Sequence, residues 1–116
     1  MENTIYRPKE LKLKDKYLDK IEECVKLLST LDFAEEVILF GSCARSQCKL
    51  GSDVDLLVIT DRETKRVERG LVYSELCYKL NGVDADIVFV TRQQYMEDDN
   101  KLFENIKRDG KILWHR

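Results

Sequence analysis

Several residue types that define particular protein classes are scarce in this sequence. Its 116 residues include one proline and one histidine, and its four cysteines form no CxxC pair. Because the only histidine, His115, stands at the C-terminal end, a zinc site of clustered histidines and cysteines is not expected. Thiols stay reduced in the cytosol, so we expect the cysteines to be free and incidental.

Long apolar segments and a large excess of one charge are also missing. No run approaches the roughly 18 apolar residues of a transmembrane helix, and the N-terminal MENTIYRPKE lacks the apolar core of a signal peptide. The net charge of -2 provides no general attraction for nucleic acid. These absences predict a cytoplasmic protein with no membrane segment and no direct nucleic-acid binding.

The length and the order of the predicted elements indicate one domain of the α/β (α+β) class. A chain of 116 residues buries a single core, so we expect one domain over residues 1–116, with residues 1–12 as an N-terminal arm. Apolar spacing predicts the order α-β-loop-β-α-β-α-β, with a mixed four-stranded sheet flanked by helices. The predicted helices cover residues 15–31, 63–80 and about 92–109, and the predicted strands cover 37–40, 54–60, 83–90 and 112–114.

The helix predicted over residues 63–80 has an apolar side and a polar side. Val67, Leu71, Ser74 and Tyr78 follow one another at helical spacing on the first side. An amphipathic helix of this kind normally packs its apolar side on the core.

Two acids interrupt the second predicted strand, where a buried carboxylate costs several kcal/mol unless it is paired or binds metal. Asp53 and Asp55 lie two residues apart and therefore point to one face of the strand. Asp84 and Asp86 stand in the same relation on the third strand. If these strands are neighbours, three carboxylates converge and repel one another unless a cation lies between them. Such an oxygen-rich site suits Mg²⁺ or Mn²⁺, and a pair of ions serves nucleotidyl transfer.

A glycine-serine pair precedes these acids and predicts a phosphate site. Gly41 follows a buried apolar strand, where the lack of a side chain lets a ligand approach the backbone. Ser42 is expected to cap a short helix over residues 43–49, whose free N–H groups attract phosphate. Arg45 and Lys49 project from this helix and are candidates for binding triphosphate oxygens.

These residues resemble a known motif. Gly41-Ser42, ten intervening residues and Asp53-Val54-Asp55 match the GSx10DxD signature of the minimal nucleotidyltransferase (MNT) family, which belongs to the DNA polymerase beta-like superfamily. The resemblance covers nearly the whole chain and implies the polymerase beta-like fold. It implies that Asp53 and Asp55 bind two Mg²⁺ ions, and that Gly41 and Ser42 hold the triphosphate of ATP.

The third metal ligand of the family lies on the next strand. The resemblance favours Asp86 over Asp84, because Asp86 precedes an apolar run as the family's acid does. Asp86 would then be a metal ligand and a possible general base. Arg45 matches the arginine that follows the family's glycine-serine pair and is expected to contact the nucleotide.

The resemblance also implies an acceptor and a partner. The chain is similar to antitoxins that work with a helical HEPN-domain ribonuclease toxin and transfer AMP from ATP to one of its tyrosines, within a hetero-oligomer. Two alternatives stay open from the sequence: transfer to a small hydroxylated molecule such as an aminoglycoside, and a non-catalytic antitoxin that neutralises by contact.

Overall fold

A computed structural model describes residues 15–45, 54–80 and 85–116 of the chain. The predicted N-terminal arm, residues 1–12, lies outside these described residues. Over the described residues the chain forms five helices and four strands: α1 Asp15–Ser29, β1 Ala34–Phe40, α2 Gly41–Ala44, β2 Val54–Thr60, α3 Arg66–Leu80, β3 Ala85–Thr91, α4 Arg92–Glu97, α5 Lys101–Asp109 and β4 Lys111–His115.

The four strands form one mixed sheet in the order β3-β2-β1-β4. β1 is antiparallel to both β2 and β4, whereas β2 and β3 are parallel. α3 connects the two parallel strands, as a crossover between parallel strands requires. The predicted α/β class and the mixed four-stranded sheet are confirmed, and the second strand has the predicted bounds.

Helices cover both faces of the sheet. α1 and α3 pack on one face over a core that includes Ile21, Leu28, Leu56 and Leu76. α4 and α5 pack on the other face, where Phe103 and other apolar residues contact the sheet. Of the helices that the structure describes, none is long and apolar enough to cross a membrane.

The side of α3 that faces the core differs from the prediction. Val72 and Leu76 are buried, while Val67, Leu71 and Tyr78 are exposed on the opposite side. The helix has an apolar stripe on each side, and periodicity alone does not tell which stripe packs on the sheet. The prediction that the first stripe is the core side is therefore wrong.

The helix predicted over about residues 92–109 is divided into two helices, α4 and α5, in the structure. Thr91 caps α4 through the predicted capping box with Gln94. The chain then becomes extended at Asp98 and turns into α5, where the Asn100 side chain accepts a hydrogen bond from the Phe103 N–H at 2.8 Å. An asparagine at an N-cap starts a new helix because its side chain satisfies a free N–H group.

Candidate active site

Two acidic side chains stand next to each other at the start of the parallel strands. Asp55 is the second residue of β2 and Asp86 is the second residue of β3, and the two are register partners. Neighbouring strands lie about 4.8 Å apart, so the two side chains leave the same sheet face side by side. Asp55 is partly buried and Asp86 is exposed. The structure thus brings together two of the three predicted metal ligands.

The end of β1 passes directly beside Asp55. Phe40, the last residue of β1, is the register partner of Asp55, and Gly41 follows with a φ of 75°. A Cβ atom at Gly41 would overlap the Asp55 carboxylate. Two physical constraints therefore favour glycine at position 41: the left-handed backbone conformation, and the Asp55 carboxylate that occupies the space of a side chain.

The glycine-serine pair forms the first turn of α2 and does not precede it. The N-cap of α2 is Phe40, which makes no side-chain cap hydrogen bond, so the prediction that Ser42 is the cap is wrong. α2 begins earlier than predicted because Gly41 itself takes the first helical position. Ser42 remains beside Gly41 and is partly exposed. Cys43 is buried and disulfide-bonded, contrary to the expectation of free thiols.

Arg45 lies at the C-terminal end of α2 and is exposed. Its charge reaches α5, where a hydrogen bond from Arg108 is the main cause that lowers the pKa of Asp109 and Arg45 adds to this effect. Lys111, the first residue of β4, acts on Asp109 in the same direction. Two basic residues, Arg45 and Lys111, therefore lie near Asp109 at the end of α5.

One contact of this site was missed from the sequence. Tyr73 of α3 lies with its hydroxyl 3.4 Å from the Asp86 Oδ1 atom and 3.4 Å from the Ala85 carbonyl oxygen. The Ile87 N–H donates a hydrogen bond to the same hydroxyl at 3.2 Å. Because β3 is an edge strand, Tyr73 occupies the unpaired edge next to Asp86. No sequence pattern indicates this contact, since a tyrosine on a predicted helix is most simply interpreted as a packing residue.

Asp53 and Asp84 lie outside the described residues, as does Lys49. Within the parts of the chain that the structure describes, no group of three His, Cys, Asp or Glu side chains is arranged to hold a metal ion. Asp55 and Asp86 nevertheless fit a hard cation, because adjacent carboxylates repel without one and oxygen is the ligand that Mg²⁺ prefers.

Three solved structures are similar to this chain in fold. A chain from the complex of the tri-AMPylated Shewanella oneidensis HEPN toxin with MNT antitoxin is similar in fold, with a TM-score of 0.61 and 22% identity over 87% of this chain and 73% of that chain. A chain of a toxin-antitoxin structure with AMP-PNP has a TM-score of 0.63 and 20% identity over 89% and 75%. A candidate nucleotidyltransferase from Sulfolobus solfataricus has a TM-score of 0.55 and 21% identity over 89% of each chain.

At these identities the structural matches show a shared fold. Among curated proteins, no sequence matches the chain significantly. The family itself is shown by sequence, since the model of the nucleotidyltransferase domain matches residues 18–115. The chain therefore belongs to the nucleotidyltransferase domain family.

Proposed function

We propose that this protein transfers AMP from ATP to a hydroxyl group, using two Mg²⁺ ions held by Asp53, Asp55 and Asp86. The observation that carries the proposal is the register pairing of Asp55 with Asp86 beside the Gly41 bend. Adjacent carboxylates next to a glycine backbone suit a metal-bound triphosphate, because oxygen is the ligand that Mg²⁺ prefers and the missing side chain leaves room for phosphate.

We expect some residues of the site to bind the metal ions and others to bind the phosphates. Asp55 and Asp86 would hold the ions, which supply activation of the attacking hydroxyl and neutralisation of the leaving phosphates. Gly41 leaves room for the triphosphate at the backbone, and Ser42 and Arg45 would bind its oxygens. Mn²⁺ suits the same oxygen ligands.

We propose that the acceptor is a tyrosine of a helical HEPN-domain ribonuclease toxin, and that this protein is its antitoxin. Two structures of similar fold support this assignment: one contains a tri-AMPylated HEPN toxin with MNT antitoxin, and another contains a toxin-antitoxin with AMP-PNP. The described residues form one sheet with two helix layers and include no second domain to hold an acceptor. A partner that presents its own tyrosine meets this need.

Transfer of label tests the proposal. The protein is incubated with Mg²⁺, ATP labelled in the α-phosphate and the product of the neighbouring gene. We expect label on the tyrosine of that product, and none with an Asp53→Asn, Asp55→Asn double variant. Asp61→Asn is the matched control, because Asp61 is exposed and follows β2 at its opposite end.

Three results would contradict parts of the proposal. Label on an added aminoglycoside and none on protein would show that the acceptor is a small hydroxylated molecule and not a tyrosine. Neutralisation of the toxin that survives the double variant would show that contact alone suffices. Label that persists in the double variant would show that Asp53 and Asp55 are not the metal ligands.

A further inference from the structure

A tyrosine hydroxyl of this chain lies beside a carboxylate of the candidate site. The Tyr73 hydroxyl is 3.4 Å from the Asp86 Oδ1 atom. Tyr73 is only partly buried and Asp86 is exposed, so a ligand can reach the pair. A carboxylate within hydrogen-bond reach of a hydroxyl can take its proton as a general base, and such contacts are often long in a structure without substrate. The chain therefore presents one of its own hydroxyl groups at the site.

The hydroxyl reaches Asp86 around the open edge of the sheet. Tyr73 lies in the middle of α3, on the face of the sheet where Ile87 is buried. Because side chains alternate along a strand, Asp86 leaves the other face, as Val88 does. β3 is the outer strand of the described sheet, so no further strand separates the hydroxyl from the carboxylate. Asp86 thus has Asp55 on its inner side and the Tyr73 hydroxyl on its outer side.

Two backbone groups of β3 hold the hydroxyl in place. The Ile87 N–H donates a hydrogen bond to it at 3.2 Å, and the Ala85 carbonyl oxygen lies 3.4 Å from it. These contacts cover part of the unpaired strand edge, but edge pairing does not explain the third contact, with Asp86. A hydroxyl oxygen has two lone pairs, so the bond from Ile87 leaves one for attack on an electrophile. A nucleophile that is already positioned needs little further ordering to react.

We propose that this protein also adenylylates itself, on Tyr73, an inference that rests on the proposed function for its donor, ATP. The Tyr73 oxygen forms a bond to the α-phosphorus of ATP, and the bond from that phosphorus to the β-phosphate oxygen breaks. The electron pair of the broken bond leaves with pyrophosphate. The tyrosine proton passes to Asp86 Oδ1 and from there to water. The products are pyrophosphate and a chain that carries AMP on Tyr73 through a phosphodiester.

The other tyrosines in the described parts of the chain have different positions. Tyr17 and Tyr95 are buried in the two cores, one on each face of the sheet. Tyr78 is 89% exposed, but it lies on the side of α3 that faces away from the sheet. Among residues 15–45, 54–80 and 85–116, Tyr73 is therefore the tyrosine that the geometry assigns as acceptor.

The contact also predicts that the transfer is intramolecular. Tyr73 and Asp86 belong to the same chain and touch without any partner. The fraction of protein labelled per unit time should therefore be independent of protein concentration. A tyrosine that enters the site from a second copy would instead be labelled faster as the concentration rises. The order of the reaction thus separates the two kinds of acceptor.

The first test incubates the full-length protein alone with Mg²⁺ and ATP labelled in the α-phosphate. We expect peptide mapping of the wild type to locate the label on Tyr73, and the labelled fraction at early times to stay the same when the protein is diluted. Tyr73→Phe should lose the label. Tyr78→Phe is the matched control and should keep it, since Tyr78 lies on the outer side of the same helix.

The second test examines the position of the hydroxyl without ATP or metal. The Ile87 N–H donates to the Tyr73 hydroxyl, which should protect this amide from hydrogen exchange. We expect Tyr73→Phe to raise the exchange rate of the Ile87 amide several-fold, and Tyr78→Phe to leave it at the wild-type value. Equal rates in the two variants would show that the hydroxyl is not fixed at the edge of β3, and would overturn the inference.

A parallel incubation with the product of the neighbouring gene separates this inference from the proposed function. Label on that product and none on this chain would overturn self-adenylylation and leave the proposed function intact. Label on another tyrosine of this chain, or a labelled fraction that rises with protein concentration, would show that the acceptor is not the hydroxyl beside Asp86. No label on either protein would contradict both the proposed function and the inference.

Discussion

Replacement of Gly41 by alanine tests the geometry at the centre of the candidate site. Gly41 has a φ of 75°, and an added Cβ atom would overlap Asp55 Oδ2 and lie 3.2 Å from Asp55 Cγ. The variant therefore must strain the backbone, move the carboxylate, or both. Because the carboxylate is the group that we expect to hold metal, stability and ligand binding should change together.

The size of the effect follows from these two contacts. A left-handed conformation costs a residue other than glycine about 1–2 kcal/mol, and forcing the Asp55 side chain off its rotamer costs about 0.5–1.5 kcal/mol more. We therefore expect the free energy of unfolding to fall by about 2–3 kcal/mol. For a domain of this size that corresponds to a Tm decrease of ~10 °C.

Thermal unfolding with and without ATP and Mg²⁺ measures both consequences. The wild type should gain stability from the ligands by mass action, while Gly41→Ala should unfold earlier and gain much less. Gly70→Ala is the matched control, because its site in α3 is open and alanine favours a helix by about 0.5–1 kcal/mol over glycine. If Gly41→Ala leaves both the Tm and the stabilisation by ATP and Mg²⁺ at wild-type values, the close approach of Gly41 to Asp55 is refuted.

Three further predictions concern single side chains. Tyr73→Phe removes the hydroxyl beside Asp86, so the Mg²⁺ concentration for half-maximal label transfer should rise several-fold with little change at saturating Mg²⁺; an unchanged Mg²⁺ dependence would contradict this role. Burial raises the pKa of the Cys24 thiol to about 12, so iodoacetamide at pH 8 should alkylate exposed Cys77 and spare Cys24 until the protein unfolds, and equal rates in peptide mapping would contradict this burial. A hydrogen bond from Arg62 lowers the pKa of Glu68 from 4.5 to about 2, so the stability that Glu68 adds over Glu68→Gln is full above pH 4.5 and disappears as the pH falls towards 2. A difference in the free energy of unfolding in urea that stays constant with pH would contradict the ion pair of Glu68 with Arg62.

The elements that the sequence predicted best are those in which one pattern has one structural solution. β2 is an apolar run in which Asp55 is the one acid, and it matches its predicted bounds, Val54–Thr60. Gly41 and Asp55 were predicted to belong to one site, and the register of β1 with β2 brings them together. Asp86 joined them only because β2 and β3 are neighbours, which was stated as a condition and is confirmed.

The predictions were wrong where a local sequence pattern is compatible with two structures, or where contacts between distant parts of the chain determine the structure. α3 has an apolar stripe on each side, and the stripe with Val72 and Leu76 packs on the sheet. The cap at Asn100 divides one predicted helix into two, although the polar run around it reads equally well as an exposed helical turn. The hydroxyl of Tyr73 finds Asp86 across 13 residues of chain, a distance at which no sequence periodicity operates.

The central claim is that Asp55 and Asp86 share divalent cations beside a nucleotide. Crystals grown with Mn²⁺ and a non-hydrolysable ATP analogue test it most directly, because anomalous scattering locates the ions. We predict ions at about 2.1 Å from carboxylate oxygens of both residues, with the triphosphate at Gly41 and Ser42. Ions that touch neither aspartate, or a nucleotide at the opposite end of β2 near Asp61, would contradict the claim.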